Sequence, residues 1–423
     1  MWEGSTALAS KTVEVAIVGA GVVGLATALR LAGEGHEVLL IDPNEPGSGA
    51  SYGNAGTVAE YACVPVGTPA VLRSLPKLLF DRDSPFALRW SALAQLAPWL
   101  ARFARQSLPA AAHANAVVLA GLLADALPAW EEMAVEADAV GLLRRNGCLY
   151  LCRRESDFAG LEWSRALRSE LGAHQEVLTP DAVAKLEPNL PPVEGKGLYF
   201  PDSLNLTDPK AMMAKLLKAA VERGASVLKA TVTGLQAAPG GVRLEGPECS
   251  VVAGKVVIAA GAFSRPLAAM AGDRIPLETE RGYHLEFATD APLLGRPVCP
   301  VDLGFYMTPM AGRLRVAGTV ELGKRDAPVN PRRHALLDRG VRQFFPALGQ
   351  PTSQWLGFRP SLPDSRPVIG PASNNPNVIY AFGHGHIGLT LSAVTARKVA
   401  GLITGRRNST AMEAFSASRF GRA

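Results

Sequence analysis

The sequence predicts an α/β protein: a parallel βαβ domain opening at the N-terminus, interrupted by insertions that form an α+β domain around a mixed, mainly antiparallel sheet. Three observations carry this. Residues 13–18 read as a buried strand, Gly19-Ala20-Gly21-Val22-Val23-Gly24 follows as a tight turn into an apolar helix, and a second apolar strand, 38–41, ends in Asp42. Strand and helix alternate again from 206 to 260. Between 276 and 320 the pattern changes to short alternating segments rich in aromatics, the period of a half-buried antiparallel sheet. At 423 residues the chain is too long for one ordinary core, so two domains are expected.

In the first unit each glycine has a separate task. Gly19 permits the sharp strand-to-helix turn, Gly21 lets a phosphate approach the backbone, and Gly24 lets helix pack closely on strand. The unpaired N–H groups at the helix start, around Val22 and Val23, favour negative charge there. Gly35 stops the helix, and Asp42, followed by Pro43, can accept both hydroxyls of an adenosine ribose while repelling a 2′-phosphate. An ADP moiety is therefore expected in this Rossmann-like unit.

A loop rich in Gly, Ser and Asn occupies 43–58, and 68–143 reads as helical. Leu93, Leu96, Ala97, Leu100, Phe103 and Ala104 fall at helical spacing as one apolar stripe. Strands are expected at 147–152 and 196–200, with a helix at 155–171 between them. Asp208 is a helix N-cap with Pro209 at the first helical position, and Gly224 ends that helix. A strand over 226–236, a hairpin turn at Gly240-Gly241 and an apolar strand at 255–260 closing in Gly261 come next. Helices at 331–345 and 387–403 and a strand at 378–382 complete the chain. The first domain is expected to be discontinuous (12–64, 206–274 and 351–423), the second to comprise 65–205 and 275–350.

Composition excludes several classes. With 48% hydrophobic and 19% charged residues the chain is globular, and 43 basic against 38 acidic residues give +5, too little and too dispersed for a nucleic-acid partner. Five cysteines, with Cys148 and Cys152 in an apolar run, match neither a zinc set nor a redox pair, so reduced thiols and no metal are expected. No signal peptide is legible, and the most apolar stretch, 110–124, is interrupted by His113 and Asn115 and is short for a bilayer span, so a cytoplasmic protein is expected.

Three further segments narrow the ligand. Ser51-Tyr52-Gly53-Asn54-Ala55-Gly56 offers backbone donors for a second phosphate and a ring edge. Ala260-Gly261 ends a buried strand where backbone must lie flat against a ligand, and Gly383-His384-Gly385-His386-Ile387-Gly388-Leu389-Thr390 leads a strand into the last helix. Together with Gly357-Phe358-Arg359-Pro360 and Pro363-Asp364 through Ile369-Gly370, these segments resemble the D-amino-acid oxidase/dehydrogenase family of FAD flavoproteins, most of all its bacterial D-amino-acid dehydrogenase branch. The resemblance implies FAD held by the glycine turns, Asp42, Pro43, the 51–56 segment, Val232, Ala260, Gly261 and the 383–390 turn. It implies oxidative deamination, with hydride passing from the α-carbon of an amino acid to the flavin and an imine hydrolysing to a 2-oxo acid. Non-covalent FAD is expected, because no cysteine lies between 357 and 390.

On the substrate side the resemblance makes Arg359 the partner of the substrate carboxylate, since a guanidinium offers a planar bidentate fork. Tyr283 is expected to support that carboxylate, with His284 on the opposite face near the amine and Tyr306 as a further wall. A D-amino acid is the expected substrate, D-proline and D-hydroxyproline types favoured; glycine, sarcosine or L-proline with dioxygen, and a non-catalytic flavoprotein, are the alternatives. The electron acceptor is expected to be a quinone, or a dye in its place. Arg73, Lys77, Arg82, Arg89, Arg102 and Arg105 among Trp90, Trp99 and other apolar residues suggest a peripheral membrane contact, as does a basic C-terminal tail from Arg397 to Arg422.

Overall fold

The computed structural model describes residues 11–81, 84–406 and 412–421. Its first sheet is built around β1 (Lys11–Val18), which pairs in parallel with β2 (Val38–Asp42) on one side and with the strand Cys249–Ile258 on the other. The helix α1 (Val22–Gly33) makes the crossover between β1 and β2, and ten of its twelve residues are buried. That burial follows from its composition, a helix apolar nearly all round, lying between the helices Pro209–Glu222 and Gly388–Thr404. Ser226–Lys229 extends the sheet beyond β2. At the other side Cys249–Ile258 is shared, its first half taken by the hairpin Gly234–Ala238/Gly241–Gly246 and its last residues by Val378–Phe382. The single strand expected over 226–236 is thus two strands at opposite edges, joined by residues that carry the chain across the sheet.

The second sheet runs, in spatial order, Ser353–Ser361, Glu278–Ala288, Arg313–Leu322, Phe305–Met310, Val298–Pro300, Cys148–Leu151, Gly197–Phe200 and Glu176–Leu178, with Phe86–Leu88 added beside Arg313–Leu322. Ser353–Ser361 lies beyond the 351 boundary expected for the first domain yet hydrogen-bonds to Glu278–Ala288 throughout, so the chain returns to the first sheet only at Val368–Pro371. A third, three-stranded sheet joins Thr57–Val58, Leu204–Leu206 and Leu143–Arg145.

Side-chain alternation gives the second sheet two different faces. Tyr283, Leu285, Phe287, Phe305, Met307, Leu314 and Val316 form one core with Leu337 and Val341 of the helix Pro331–Val341. The opposite face carries Arg359, Trp355, His284, Glu286, Arg315, Tyr306 and Thr308, which the strand register places side by side. It looks toward the first domain.

The helical insert is several helices rather than one run. Pro69–Phe80 and Leu93–Gln106 are separated by the strand Phe86–Leu88, and Leu93–Gln106 buries Leu96 and Trp99 while Leu93 and Ala97 stay open, so the buried stripe is turned from the expected one. Packing of Trp99 flat on Phe103 takes the inner position. The 110–124 stretch belongs to a longer helical segment, Pro109–Glu136, which like Gly385–Thr404 is long and apolar enough to cross a membrane. The expectation drawn from its length therefore fails: Asn115 does not end it but bonds Gln106 at 3.0 Å, and Trp130 caps the packing by donating to the Leu389 carbonyl at 2.8 Å. Gly385–Thr404 is mostly interior, as a core helix would be. All five cysteines are buried and free, and among the described residues no His, Cys, Asp or Glu group could hold a metal ion.

Candidate active site

The turn after β1 is a cradle in which side chains do not fit. Gly19 has φ +109°, and a Cβ there would stand 2.5 Å from the Ala259 carbonyl oxygen and 2.7 Å from the Ala260 Cα. A Cβ on Gly24 would stand 1.9 Å from the Gly19 carbonyl oxygen. Strand ends of β1 and Cys249–Ile258, with Ala260 and Gly261, are thereby drawn onto the start of α1. No acidic residue occupies the first turn of α1. Asp42 Oδ2 accepts from the Ala20 N–H at 2.8 Å and Oδ1 from the Asn44 N–H at 2.8 Å, which fixes the carboxylate beside the turn and next to Pro43. Ser51 Oγ accepts from the Val22 N–H at 2.8 Å, joining the 51–56 loop to the same helix start. Val232 is half-buried against the core behind the sheet.

The second helix start, at Gly388, has no side-chain cap and no acidic residue in its first turn. Gly383 and Gly385 before it hold positive φ, +83° and +53°, conformations that β-carbons resist. The two histidines of this turn differ. His384 is buried, its Nε2 bonded to Thr395 Oγ1 at 3.0 Å, and burial pulls its imidazole down to about 3. His386 lies deep in the protein yet keeps open surface, as a residue on a cavity wall does. Ile387 packs in the core, and Thr390 Oγ1 accepts from the Ala59 N–H at 3.0 Å, tying the helix to the strand after the 51–56 loop.

Because His384 is neutral when folded but free to protonate when unfolded, the unfolded chain binds more protons between about pH 3 and 6.5. Stability is therefore expected to fall as pH drops below 6.5 and to level off above it. His384→Asn, measured by denaturant unfolding between pH 4 and 8, should flatten that acid limb; an unchanged slope would exclude His384 as its source.

Arg359 also combines deep placement with open surface. Its guanidinium lies over Gly282, where a Cβ would stand 2.5 Å from Cζ, and Nη1 donates to the Thr319 carbonyl at 2.9 Å. Among the described residues that is its one hydrogen bond, so most of its N–H donors remain for a ligand. Directly opposite in the ladder stands Glu280, 5% exposed, whose carboxyl burial raises while the Arg359 charge and a Ser361 hydrogen bond oppose the rise. Glu280, Ser361, Leu362, Ser365, Gly385, His386, Val66 and Phe103 line one pocket. Arg366 does not compete for Arg359's position: with Arg419 it is paired to the buried Asp364.

The period-2 faces are as read, Arg281 and Tyr283 on one and His284 on the other, but what covers each face differs from the expectation. Tyr283 is 1% exposed on the far face, its hydroxyl donating to Glu321 Oε1 at 3.2 Å and its ring edge-on to His334, so it cannot meet a ligand above Arg359. Glu321 is the buried anion that compensates Arg281 at 3.0 Å and Arg89 at 2.8 Å. His284 does face the first domain but is wholly buried, stacked on Trp355 and bonded to the Gly53 carbonyl, so it reaches backbone rather than amine. Tyr306 bonds Tyr150 hydroxyl to hydroxyl at 2.9 Å, beside Tyr61 and Phe200 stacked at 3.7 Å. Sequence reasoning did not foresee that Tyr61 and Tyr150 lie beside Tyr306, Glu280 beside Arg359 and Arg315 beside His284. Arg313 and Arg315 alternating with Leu314 and Val316 was the available sign of a polar sheet face.

The residues present fit FAD. Two helix starts free of acid, glycines whose Cβ would fill the turn and a fixed Asp42 match a dinucleotide. Residues 14–402 match the family profile described as "FAD dependent oxidoreductase" (DAO). The chain is 36% identical over 416 residues to a D-amino-acid oxidase of Bradyrhizobium diazoefficiens, with 96% of this chain and 98% of that protein covered. It is 30% identical over 425 residues to a D-amino acid dehydrogenase of Methylobacterium nodulans, covering 96% and 99%. Among solved structures, glycine oxidase from Geobacillus kaustophilus is similar with a TM-score of 0.75 at 24% identity, covering 97% of this chain and 99% of that one. L-proline dehydrogenase from P. horikoshii gives 0.73 at 19%, covering 97% and 98%. The chain belongs to the DAO family of FAD-dependent oxidoreductases, and the cradle between β1, α1 and the final helix is where its residues would hold that cofactor.

Proposed function

We propose that this enzyme oxidises the Cα–N bond of a D-amino acid, D-proline and D-hydroxyproline types favoured, and passes the electrons to a quinone-type acceptor. The observation that carries the substrate class is Arg359, a half-buried guanidinium with one protein hydrogen bond, opposite Glu280 of the pocket wall. The names of the similar oxidase and dehydrogenases support it. Bound FAD supplies the two-electron acceptor. Around it the chain's own side chains set the charge. Arg359 takes the carboxylate, Glu280 balances Arg359 while the pocket is empty, and His386 stays neutral because burial and the Arg359 charge depress its imidazole. Flavin bleaching under anaerobic conditions with a panel of D-amino acids, their L-isomers, glycine and sarcosine tests the reading. D-proline is expected to bleach fastest, and faster reduction by L-proline or sarcosine than by every D-isomer would overturn it.

For the acceptor, one surface supports contact with an anionic membrane. No Asp or Glu stands between residues 84 and 124. There the helix Leu93–Gln106 exposes Leu93, Ala94, Ala97 and Ala101, next to Trp90 at 57% exposure, with Arg102, Arg105 and the nearby Arg73 open to solvent. The same helix turns Phe103 into the pocket of Glu280 and His386. The other basic residues do not serve this contact: Arg89 pairs with Glu321, Arg397 with Glu132, Arg406 with Glu34 and Arg419 with Asp364, while Trp99 and Lys398 are buried. Arg82, Arg407 and Arg422 lie outside the described residues, as does the side chain of Lys77. Turnover with quinone analogues or dyes is expected to exceed turnover with dioxygen severalfold. Stoichiometric peroxide at the dye-reduction rate would refute the acceptor, and failure to co-sediment with anionic liposomes at low salt would refute the membrane contact.

A further inference from the structure

Four successive carbonyls of the 52–55 loop are taken by donors from one face of the second sheet. Arg315 Nη1 donates to Tyr52 O at 2.7 Å and to Asn54 O at 2.9 Å, His284 Nδ1 lies 3.1 Å from Gly53 O, and Thr308 Oγ1 donates to Ala55 O at 2.8 Å. A carbonyl only accepts, so His284 carries its proton on Nδ1. In a trans peptide the N–H of the next residue points opposite to the carbonyl. Fixing these carbonyls on the sheet therefore turns the N–H groups of Gly53, Asn54, Ala55 and Gly56 away from it. Gly56 N–H is taken by Asn54 Oδ1 at 2.7 Å; among the described residues the N–H groups of Gly53, Asn54 and Ala55 have no acceptor. The same loop is bound to the start of α1 through Ser51, so its free donors lie next to the cofactor cradle.

We propose that Arg315, His284 and Thr308 are cofactor-positioning residues: they hold the 52–55 backbone so that its amide donors face an electronegative edge of bound FAD. The arrangement is rigid by construction. Arg315 is wholly buried and held by Glu286 through Nε at 2.9 Å and Nη2 at 2.7 Å, with Arg313 and Ser353 on the same carboxylate. His284 is clamped between the Trp355 plane and the edge of Tyr52, and Trp355 leaves no room for a side chain at Gly53, where a Cβ would stand 2.3 Å from its ring. Charges facing His284 also keep it in the required form: burial, then the Arg315 cation, lower its imidazole to about 4, against Glu286, while His334 adds a small push the same way. It stays a neutral Nδ1–H donor at any working pH.

The test separates the hydrogen bond from packing. Asn places its amide N–H where Nδ1 stood, whereas Leu offers no donor, and both lose the stacked ring. His284→Leu is expected to weaken FAD binding about tenfold, the effect of one net hydrogen bond, to shift the visible flavin band and to lower the reduction potential. His284→Asn should recover most of the affinity and the wild-type spectrum. Thr308→Val, nearly isosteric, should act as His284→Leu does and decides the matter if the Leu variant fails to fold. Wild-type FAD affinity and spectrum in both Leu and Val variants, or an Asn variant as weak as Leu, would overturn the proposal.

Discussion

Arg359→Leu is expected to bind FAD normally and to lose substrate reduction by about three orders of magnitude in kcat/KM. The physical reason is that the variant removes the fork that takes the carboxylate in the proposed reading and leaves an arriving carboxylate without its partner, a loss on the order of 2–5 kcal/mol. A second effect adds to it. Glu280 sits opposite Arg359 with 5% exposure, and the variant removes the charge that opposes the upward push of burial on its carboxyl. Arg359→Lys is expected to restore little, because a point charge cannot bridge both carboxylate oxygens and its ammonium is more strongly hydrated. The measurement is anaerobic flavin reduction by the best amino acid, with FAD content checked from the visible spectrum. An unchanged rate would remove Arg359 from the substrate site.

Gly24→Ala is expected to yield a protein that neither holds FAD nor folds to full stability. The new Cβ would stand 1.9 Å from the Gly19 carbonyl oxygen, and both atoms belong to backbone that cannot swing aside. The turn must open, which separates α1 from β1 and moves the Ala20 N–H of the turn away from Asp42 and the Val22 N–H of the helix start away from Ser51. A cost of about 3 kcal/mol, the upper part of the overpacking range, is the expected scale. Gly121→Ala is the matched control: nothing lies within 4 Å of its Cβ, and it sits in the helix Pro109–Leu123, where alanine is favoured by up to about 1 kcal/mol. The pair is read by thermal unfolding and by the ratio of flavin to protein absorbance. FAD retention in Gly24→Ala at the wild-type ratio would show that the turn is looser than its geometry.

Much of the first domain was legible because its determinants are local. A glycine turn between an apolar strand and an apolar helix, an acid at the end of the next strand, and Asp208-Pro209 opening a helix each act within a few residues; Asp208 does accept from the Ala211 N–H at 3.1 Å. The second sheet was legible as a class, since alternation has a period, but the period alone does not say which face meets which partner. Tyr283 and His284 show the difference. Adjacent residues were expected to serve one ligand from two sides, yet the helix Pro331–Val341 covers the face of Tyr283 and the 52–55 loop covers that of His284. Both coverings come from segments about fifty or more than two hundred residues away in sequence.

The basic residues read as a membrane stripe illustrate the same limit. Arg89, Arg397, Arg406 and Arg419 are charges whose partners (Glu321, Glu132, Glu34 and Asp364) are supplied by distant elements, so composition could count them but not assign them. What the sequence by itself determined is the chemistry available: a dinucleotide turn, a guanidinium within Gly357-Phe358-Arg359-Pro360, and glycine-rich helix starts. Only the tertiary structure decided which of those groups are left free. Arg281 and Arg315 are as cationic as Arg359, but Glu321 and Glu286 neutralise them at hydrogen-bond distance, whereas among the described residues Arg359 bonds one carbonyl and keeps open surface. The proposed carboxylate role is given to the residue that folding leaves incompletely bonded, because an ion already paired in a low-dielectric interior has little left to give a ligand.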